Sequence, residues 1–186
     1  MNVYDFDDTI FAGDSTRTFW LYCVRRRPQL LACLPRQLAG AARYALGRCS
    51  KEAFKEAFFS FLPRLDGAQG FVEDFWRENA ARFRPWYLAQ KRPDDLVISA
   101  SPEFLLAPAC RMLGIRAPIA SRVDVQTGRY TGANCKGEEK PRRLREAYPD
   151  VVIDDFYSDS RSDAPLARMA KRAWLVKGDE RTPWQP

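Results

Sequence analysis

Asp5, Asp7 and Thr9 alternate in Asp5-Phe6-Asp7-Asp8-Thr9, at the end of the strand-like run Asn2-Val3-Tyr4-Asp5-Phe6. Carboxylates at i and i+2 of an extended segment share a face, and a turn just after it can redirect the second. One can then attack phosphorus while the other protonates the leaving oxygen. A divalent cation between carboxylates offsets their repulsion for each other and for an anionic substrate. By itself the motif is short, and acidic pairs at strand ends also cap helices or face solvent. Three more groups follow it. Ser99 and Ser101 end the run Asp95-Leu96-Val97-Ile98. A hydroxyl beside the first N–H groups of a helix cradles phosphate. Ser101 with Pro102 reads as a helix cap with a first-turn proline, which leaves Ser99 as the phosphate ligand. In Asn134-Cys135-Lys136-Gly137-Glu138-Glu139-Lys140, either Lys136 or Lys140 can neutralise phosphate at the start of a basic helix. In Ser158-Asp159-Ser160-Arg161-Ser162-Asp163, after Val151-Val152-Ile153, Asp159 can complete an oxygen ligand set. Asp163 would hold the metal's waters or the lysine. Asp154 and Asp155 compete with this pair or sit in the strand without a catalytic role.

The chain of 186 residues has no histidine. Ser-His-Asp and Cys-His catalysis and His-bearing zinc or iron sites are therefore excluded. Acid–base work near neutral pH falls to carboxylates, lysine or tyrosine. The five cysteines form no CxxC pair, so neither a zinc site nor a disulfide framework is indicated. Hydrophobic residues make up 46%, enough for one domain with a modest insertion. The first residues run straight into a strand, unlike a cleavable signal, and no apolar run reaches the roughly 18 residues of a membrane span. A cytoplasmic protein is expected.

The elements that must position these groups are short β-rich runs with polar or acidic C-terminal ends, where ligands bind in an open parallel α/β sheet. Helices are expected from Pro102 to about Leu113 and from Pro165 to about Arg172. Further strands are expected at Ile119–Val123, Arg129–Thr131 and Ala173–Val176, with a turn at Gln126-Thr127-Gly128-Arg129. Between about residues 14 and 90 the period is helical, as in Phe54, Phe58 and Phe61 and in Val72, Trp76, Ala80 and Phe83.

An acidic pair, a serine, a lysine and a second acidic pair, in that order, resemble the four motifs of the haloacid dehalogenase superfamily of phosphohydrolases. Nearly the whole chain is covered. The resemblance implies a Rossmann-like three-layer α/β core with a parallel sheet. The core would be residues 1–13 and 91–186, and 14–90 a small helical cap of the C1 type inserted after the first strand. It also implies Mg2+, held by Asp5, the backbone carbonyl of Asp7, and Asp159 with Asp163. Asp5 would be the nucleophile and Asp7 the acid and base, with Thr9, Ser99 and Ala100 around the phosphate. An aspartate at position 7 is what phosphatases and phosphomutases share, whereas dehalogenases lack a carboxylate there and P-type ATPases carry threonine. Many relatives have glycine where Asp8 stands. The inserted helices resemble the phosphoserine phosphatase-like branch, subfamily IB. Within it, Asn134-Cys135-x-Gly137-x-x-Lys140 and Tyr157-Ser158-Asp159-Ser160-x-x-Asp163-x-Pro165-Leu166 look closest to the bacterial group that includes phosphatidylglycerophosphatase C. That pattern makes Lys140 the expected motif lysine, with Lys136, which the Lys-Gly pattern of phosphoserine phosphatases favours, kept as the alternative.

Phosphoserine phosphatases carry a glutamate where this chain has Asp14, which can bind substrate or cap the helix that starts near Ser15. Residues 17–58 hold nine basic residues (Arg17, Arg25, Arg26, Arg27, Arg36, Arg43, Arg48, Lys51, Lys55) against Glu52 and Glu56. Between them Leu30, Leu31, Leu34, Leu38 and Ala41 make an apolar face. That face is expected to pack within the cap, but residues 25–48 could also touch the anionic inner face of a membrane. The expected activity is hydrolysis of a small-molecule or lipid-linked phosphomonoester. A phosphotransferase or mutase, or a non-catalytic module binding membrane or nucleic acid, is the alternative. No aromatic–basic nucleic-acid motif is present. Nothing in the sequence signals an oligomeric state.

Overall fold

The computed structural model describes residues 1–185. Its strands are β1 (Val3–Tyr4), β2 (Leu96–Pro102), β3 (Ile119–Ser121), β4 (Ile153–Ser158), β5 (Ala170–Lys177) and β6 (Glu180–Pro183). They form one sheet in the order β3-β2-β1-β4-β5-β6, parallel throughout except for the β5–β6 hairpin. The helical insert between β1 and β2 comprises α1 (Ser15–Arg26), α2 (Leu34–Ala45), α3 (Lys51–Phe58), α4 (Ala68–Asn79) and α5 (Pro85–Gln90). After β2 come α6 (Glu103–Leu113), α7 (Glu139–Ala147) and α8 (Ala164–Ala167).

Successive strand residues point to opposite faces, and here that alternation fills two cores. Val3, Leu96, Ile98 and Phe156 join Leu144 of α7 and Leu166 of α8. Tyr4, Val97 and Tyr157 join Leu105 and Leu106 of α6. The second core continues without a break into the insert through Phe11, Phe75, Trp76, Phe83 and Tyr87. The Trp76 indole N–H donates to the Leu105 carbonyl at 2.6 Å, tying α4 to α6. Each such large side chain contributes about 1.5–3 kcal/mol by burial. The α/β fold and the helical insert are those anticipated.

The insert departs from expectation at α2. This helix meets α3 through Gln37, whose amide donates to the Phe58 carbonyl at 2.9 Å, and through Gly40. A Cβ on Gly40 would lie 2.5 Å from the Ala57 Cβ, so the two backbones approach where only hydrogen fits. The small, polar side of α2 therefore faces inward. Its apolar side, with Leu31 just before it and Leu46 just after, faces outward, leaving Leu38 65% and Leu46 66% exposed. Of the expected apolar face, Leu30 is buried in the turn ahead of the helix, Leu34 and Ala41 are half-buried, and Leu31 and Leu38 are exposed.

Other differences have local causes. The helix expected to reach Arg172 is only the four residues of α8, and β5 takes over at Ala170. Arg172 belongs to the sheet, bonded to Asp155 through both Nε and Nη2, the latter at 2.6 Å. The expected strand Arg129–Thr131 is a single bridge from Tyr130 to Val123 around the turn at Gly128. β6 is wholly exposed and carries no apolar period, so no pattern announces it. All five thiols are unpaired. Among the described residues no helix is long and apolar enough to cross a membrane.

Candidate active site

The C-terminal ends of β1, β2 and β4 converge on one cavity of about 530 Å³. Asp5 follows β1 and is anchored by its N–H, which donates to the Tyr157 carbonyl of β4 at 2.8 Å. Lys140, in the first turn of α7, brings its Nζ to 3.0 Å from Asp5 and 2.7 Å from Asp163. Ser158 Oγ also donates to Asp163, at 2.8 Å. Burial opposes the charge on Lys140, but Asp5 and Asp163 outweigh it and the pKa is raised. Burial likewise pushes Asp5 up, against the pull of Lys140. Of the two candidate lysines, Lys140 reaches the carboxylates. Lys136 is exposed and lies farther out on the cavity wall.

Asp7 points toward the insert. Its carboxylate accepts the Ser15 N–H at 2.7 Å, at the start of α1, and the Ser101 hydroxyl of β2. Burial pushes its pKa up to about 6, while the Ser101 and Ser15 bonds hold it down. Ser101 is therefore no helix cap: β2 continues through Pro102, and the hydroxyl serves Asp7 and Thr16. Buried Ser99 accepts the Ser101 N–H at 3.2 Å. The Ala100 carbonyl holds Lys55 and Ser121, each at 3.0 Å. Thr9 pins the loop after β4: its Oγ accepts the Asp159 N–H at 2.9 Å. Asp14 lines the cavity and caps α1, accepting the Arg17 N–H at 2.8 Å. Asp8 has φ 53°, a left-handed conformation where glycine is at ease, and its carboxylate accepts the Gly13 N–H at 2.9 Å. Asp154 and Asp155 lie in β4 and pair with Lys171 and Arg172, away from the cavity.

The donor chemistry suits a hard divalent cation. Asp5, Asp7, Asp8 and Asp159 face the same cavity. Burial is the largest cause raising the pKa of each of Asp5, Asp7 and Asp159, and neighbouring carboxylates add to it. Among the described residues no three Asp, Glu, Cys or His side chains form a ready-made metal cluster. Asp5 and Asp159 are carboxylates that could hold such a cation, and Mg2+ is commonly held by one or two carboxylates while keeping several waters. Asp163 is engaged by Lys140 and Ser158.

Two polar groups at the site carry little signal in the sequence. Ser101 has the look of a cap because Ser-Pro is a common helix start. Lys55 of α3 reaches across to the core, donating to the Ala100 carbonyl and to Asn134 Oδ1 at 2.9 Å. Its signal was faint: one lysine in a helix with charges of both signs.

Residues 3–168 match the haloacid dehalogenase-like hydrolase family. Protein CicA of Caulobacter vibrioides is 29% identical over 194 residues, covering 90% of this chain and 81% of that protein. A histidinol-phosphatase of Neisseria meningitidis is 25% identical over 201 residues, covering 95% and 90%. Among solved structures, a Bordetella pertussis protein of unknown function superposes with a TM-score of 0.71 at 22% identity, covering 93% of this chain and 87% of that one. A probable phosphoserine phosphatase of Vibrio cholerae gives 0.64 at 13% identity, covering 92% and 55%.

Proposed function

The chain belongs to the haloacid dehalogenase-like hydrolase family, as a phosphatase, and from that premise we propose a Mg2+-dependent phosphomonoester hydrolase working through an aspartyl-phosphate on Asp5. An Asp5 oxygen attacks phosphorus in line, and the bond to the ester oxygen breaks. Asp7 in its acid form gives that oxygen its proton and becomes a carboxylate. The Asp7 carboxylate then takes a proton from water. The water oxygen attacks the same phosphorus, releasing inorganic phosphate and restoring Asp5. Lys140 balances Asp5 before attack and the phosphoryl oxygens after it, oriented by Asp163. Asp5, Asp159 and the Asp7 carbonyl would hold Mg2+, which when bound would supply positive charge to the phosphoryl oxygens. Ser99 and the backbone at Ala100 line the phosphate position, and Thr9 steadies Asp159. Residues 14–90 act as the cap and 1–13 with 91–186 as the core.

The observation that carries this reading is the Asp5–Lys140–Asp163 chain beside an Asp7 raised to about 6. Hydrolysis of p-nitrophenyl phosphate by the whole chain should require Mg2+ and vanish in Asp5→Asn. Turnover that survives Asp5→Asn overturns the assignment.

The outward apolar side of α2 supports a lipid-linked substrate, in keeping with the motif pattern of the phosphatidylglycerophosphatase C group. Leu31, Leu38 and Leu46 project between Arg27, Arg36, Arg43 and Arg48, all exposed, and no acid occurs between Asp14 and Glu52. An anionic bilayer surface matches both the apolar stripe and the positive charge. Enzyme at such a surface would work at the cytoplasmic face. Sedimentation with anionic vesicles at low salt tests this, and an enzyme left wholly in the supernatant rules it out.

A further inference from the structure

Three lysines gather on the wall of the cavity away from the Asp5–Lys140 centre. Lys51 and Lys55 come from α3 in the insert, Lys136 from the loop before α7. Lys51 and Lys136 lie side by side, and burial together with Lys136 lowers the pKa of Lys51. None of the three enters an ion pair among the described residues. Lys55 donates only to neutral oxygens, the Ala100 carbonyl and Asn134 Oδ1. Burial, with Lys51 and Lys136 nearby, brings its pKa down to about 8. Asp14 and Asp7 pull the other way without contact, and Glu52 does the same for Lys51. Ammonium groups crowded together without a counter-ion are unfavourable, and an anion placed among them relieves the repulsion.

The reacting phosphate has no need of these three, since Lys140 already faces Asp5. We propose that Lys51, Lys55 and Lys136 form a second anion subsite, so that the substrate carries another anionic group, phosphate or carboxylate, beyond the phosphomonoester that is cleaved. Trp20 and Phe58 line the same cavity and suit an apolar link between the two charges. Because two of the lysines belong to the insert and one to the core, the bound anion ties α3 to the loop before α7. The subsite rests on the hydrolase reading only for where the first phosphate sits.

Calorimetric titration of the whole chain in Mg2+ tests the subsite without turnover. The probes are alkylphosphonates, the matching α,ω-bisphosphonates of two to six carbons, and the matching ω-carboxyalkylphosphonates. At least one doubly anionic probe should bind about 10-fold tighter or more than its singly anionic partner. Comparing the bisphosphonate with the carboxylate arm identifies the second group. Lys51→Gln with Lys136→Gln should erase the ratio, while Arg129→Gln, an exposed charge outside the cavity, keeps it. Equal binding of single and double anions at every length, or a ratio unmoved by the lysine changes, overturns the proposal. A ratio found without p-nitrophenyl phosphate turnover upholds the subsite while the hydrolase reading falls. Turnover without a ratio does the reverse.

Discussion

Lys140 Nζ lies between two carboxylates, 3.0 Å from Asp5 and 2.7 Å from Asp163, and all three side chains are largely shut off from solvent. Removing the ammonium leaves two like charges facing each other in a poorly screened site. Breaking a buried pair in this way costs about 3–5 kcal/mol. Lys140→Met should lose that much in urea unfolding at pH 7 and lose turnover. Lys140→Met with Asp163→Asn should recover part of the stability and none of the turnover. A Lys140→Met protein of unchanged stability would show that the pair is not held as described.

Asp7 is held against its own ionisation. Its pKa rises from 3.8 to about 6, so the folded state binds a proton more tightly than the unfolded chain does. The resulting stabilisation is fully present below pH 3.8 and is lost as pH rises through about 6. In EDTA, Asp7→Asn should therefore be more stable than the parent at pH 7, by roughly 1–3 kcal/mol. The gain should shrink as pH falls below 6, and turnover should drop steeply. Thermal melts at pH 5 and 7 check the sign.

Ser101 supplies the largest interaction holding the Asp7 pKa down. Ser101→Ala should let it rise, keeping the acid form to higher pH. The alkaline limb of kcat/KM should move upward by roughly one pH unit, since that limb reports the acid of the free enzyme. Ser99→Ala, which touches Asp7 only through Ser101, should move it less.

Leu38 and Leu46 pack against little, so Leu38→Ser with Leu46→Ser should change stability by no more than about 0.5 kcal/mol each. Loss of sedimentation with anionic vesicles is the expected effect, with p-nitrophenyl phosphate turnover retained. Gly40→Val should behave oppositely. It drives α2 off α3 at the 2.5 Å contact and destabilises the insert by about 1–3 kcal/mol.

Strand-end chemistry was the most legible part of the sequence. Asp5, Asp7, Ser99 and Asp159 each follow an apolar run, and a parallel sheet brings such ends together whatever lies between. Spacing alone leaves Lys136 and Lys140 open, because the choice turns on where α7 begins, and a shift of one residue moves a helical side chain by about 100°; the motif pattern is what favours Lys140. Ser101 misled because Ser-Pro has the same look at a helix start and at a strand end. The inward side of α2 could not be read from hydrophobicity, since its buried residues are polar Gln37 and Gly40, which has no side chain to count. β5 overrode the helical look of residues 168–172 because Lys171 and Arg172 find Asp154 and Asp155 on the neighbouring strand.

The bond from the Ser15 N–H to Asp7 joins the proposed proton donor to the first residue of α1 in the insert. An amide proton is deshielded by a carboxylate and much less by the neutral acid. The Ser15 resonance in a nitrogen-edited spectrum is thus a built-in indicator, responding both to the charge on Asp7 and to whether α1 is seated. Titrating it with pH and then with a phosphonate would follow both events at a single nucleus, with no label placed in the cavity.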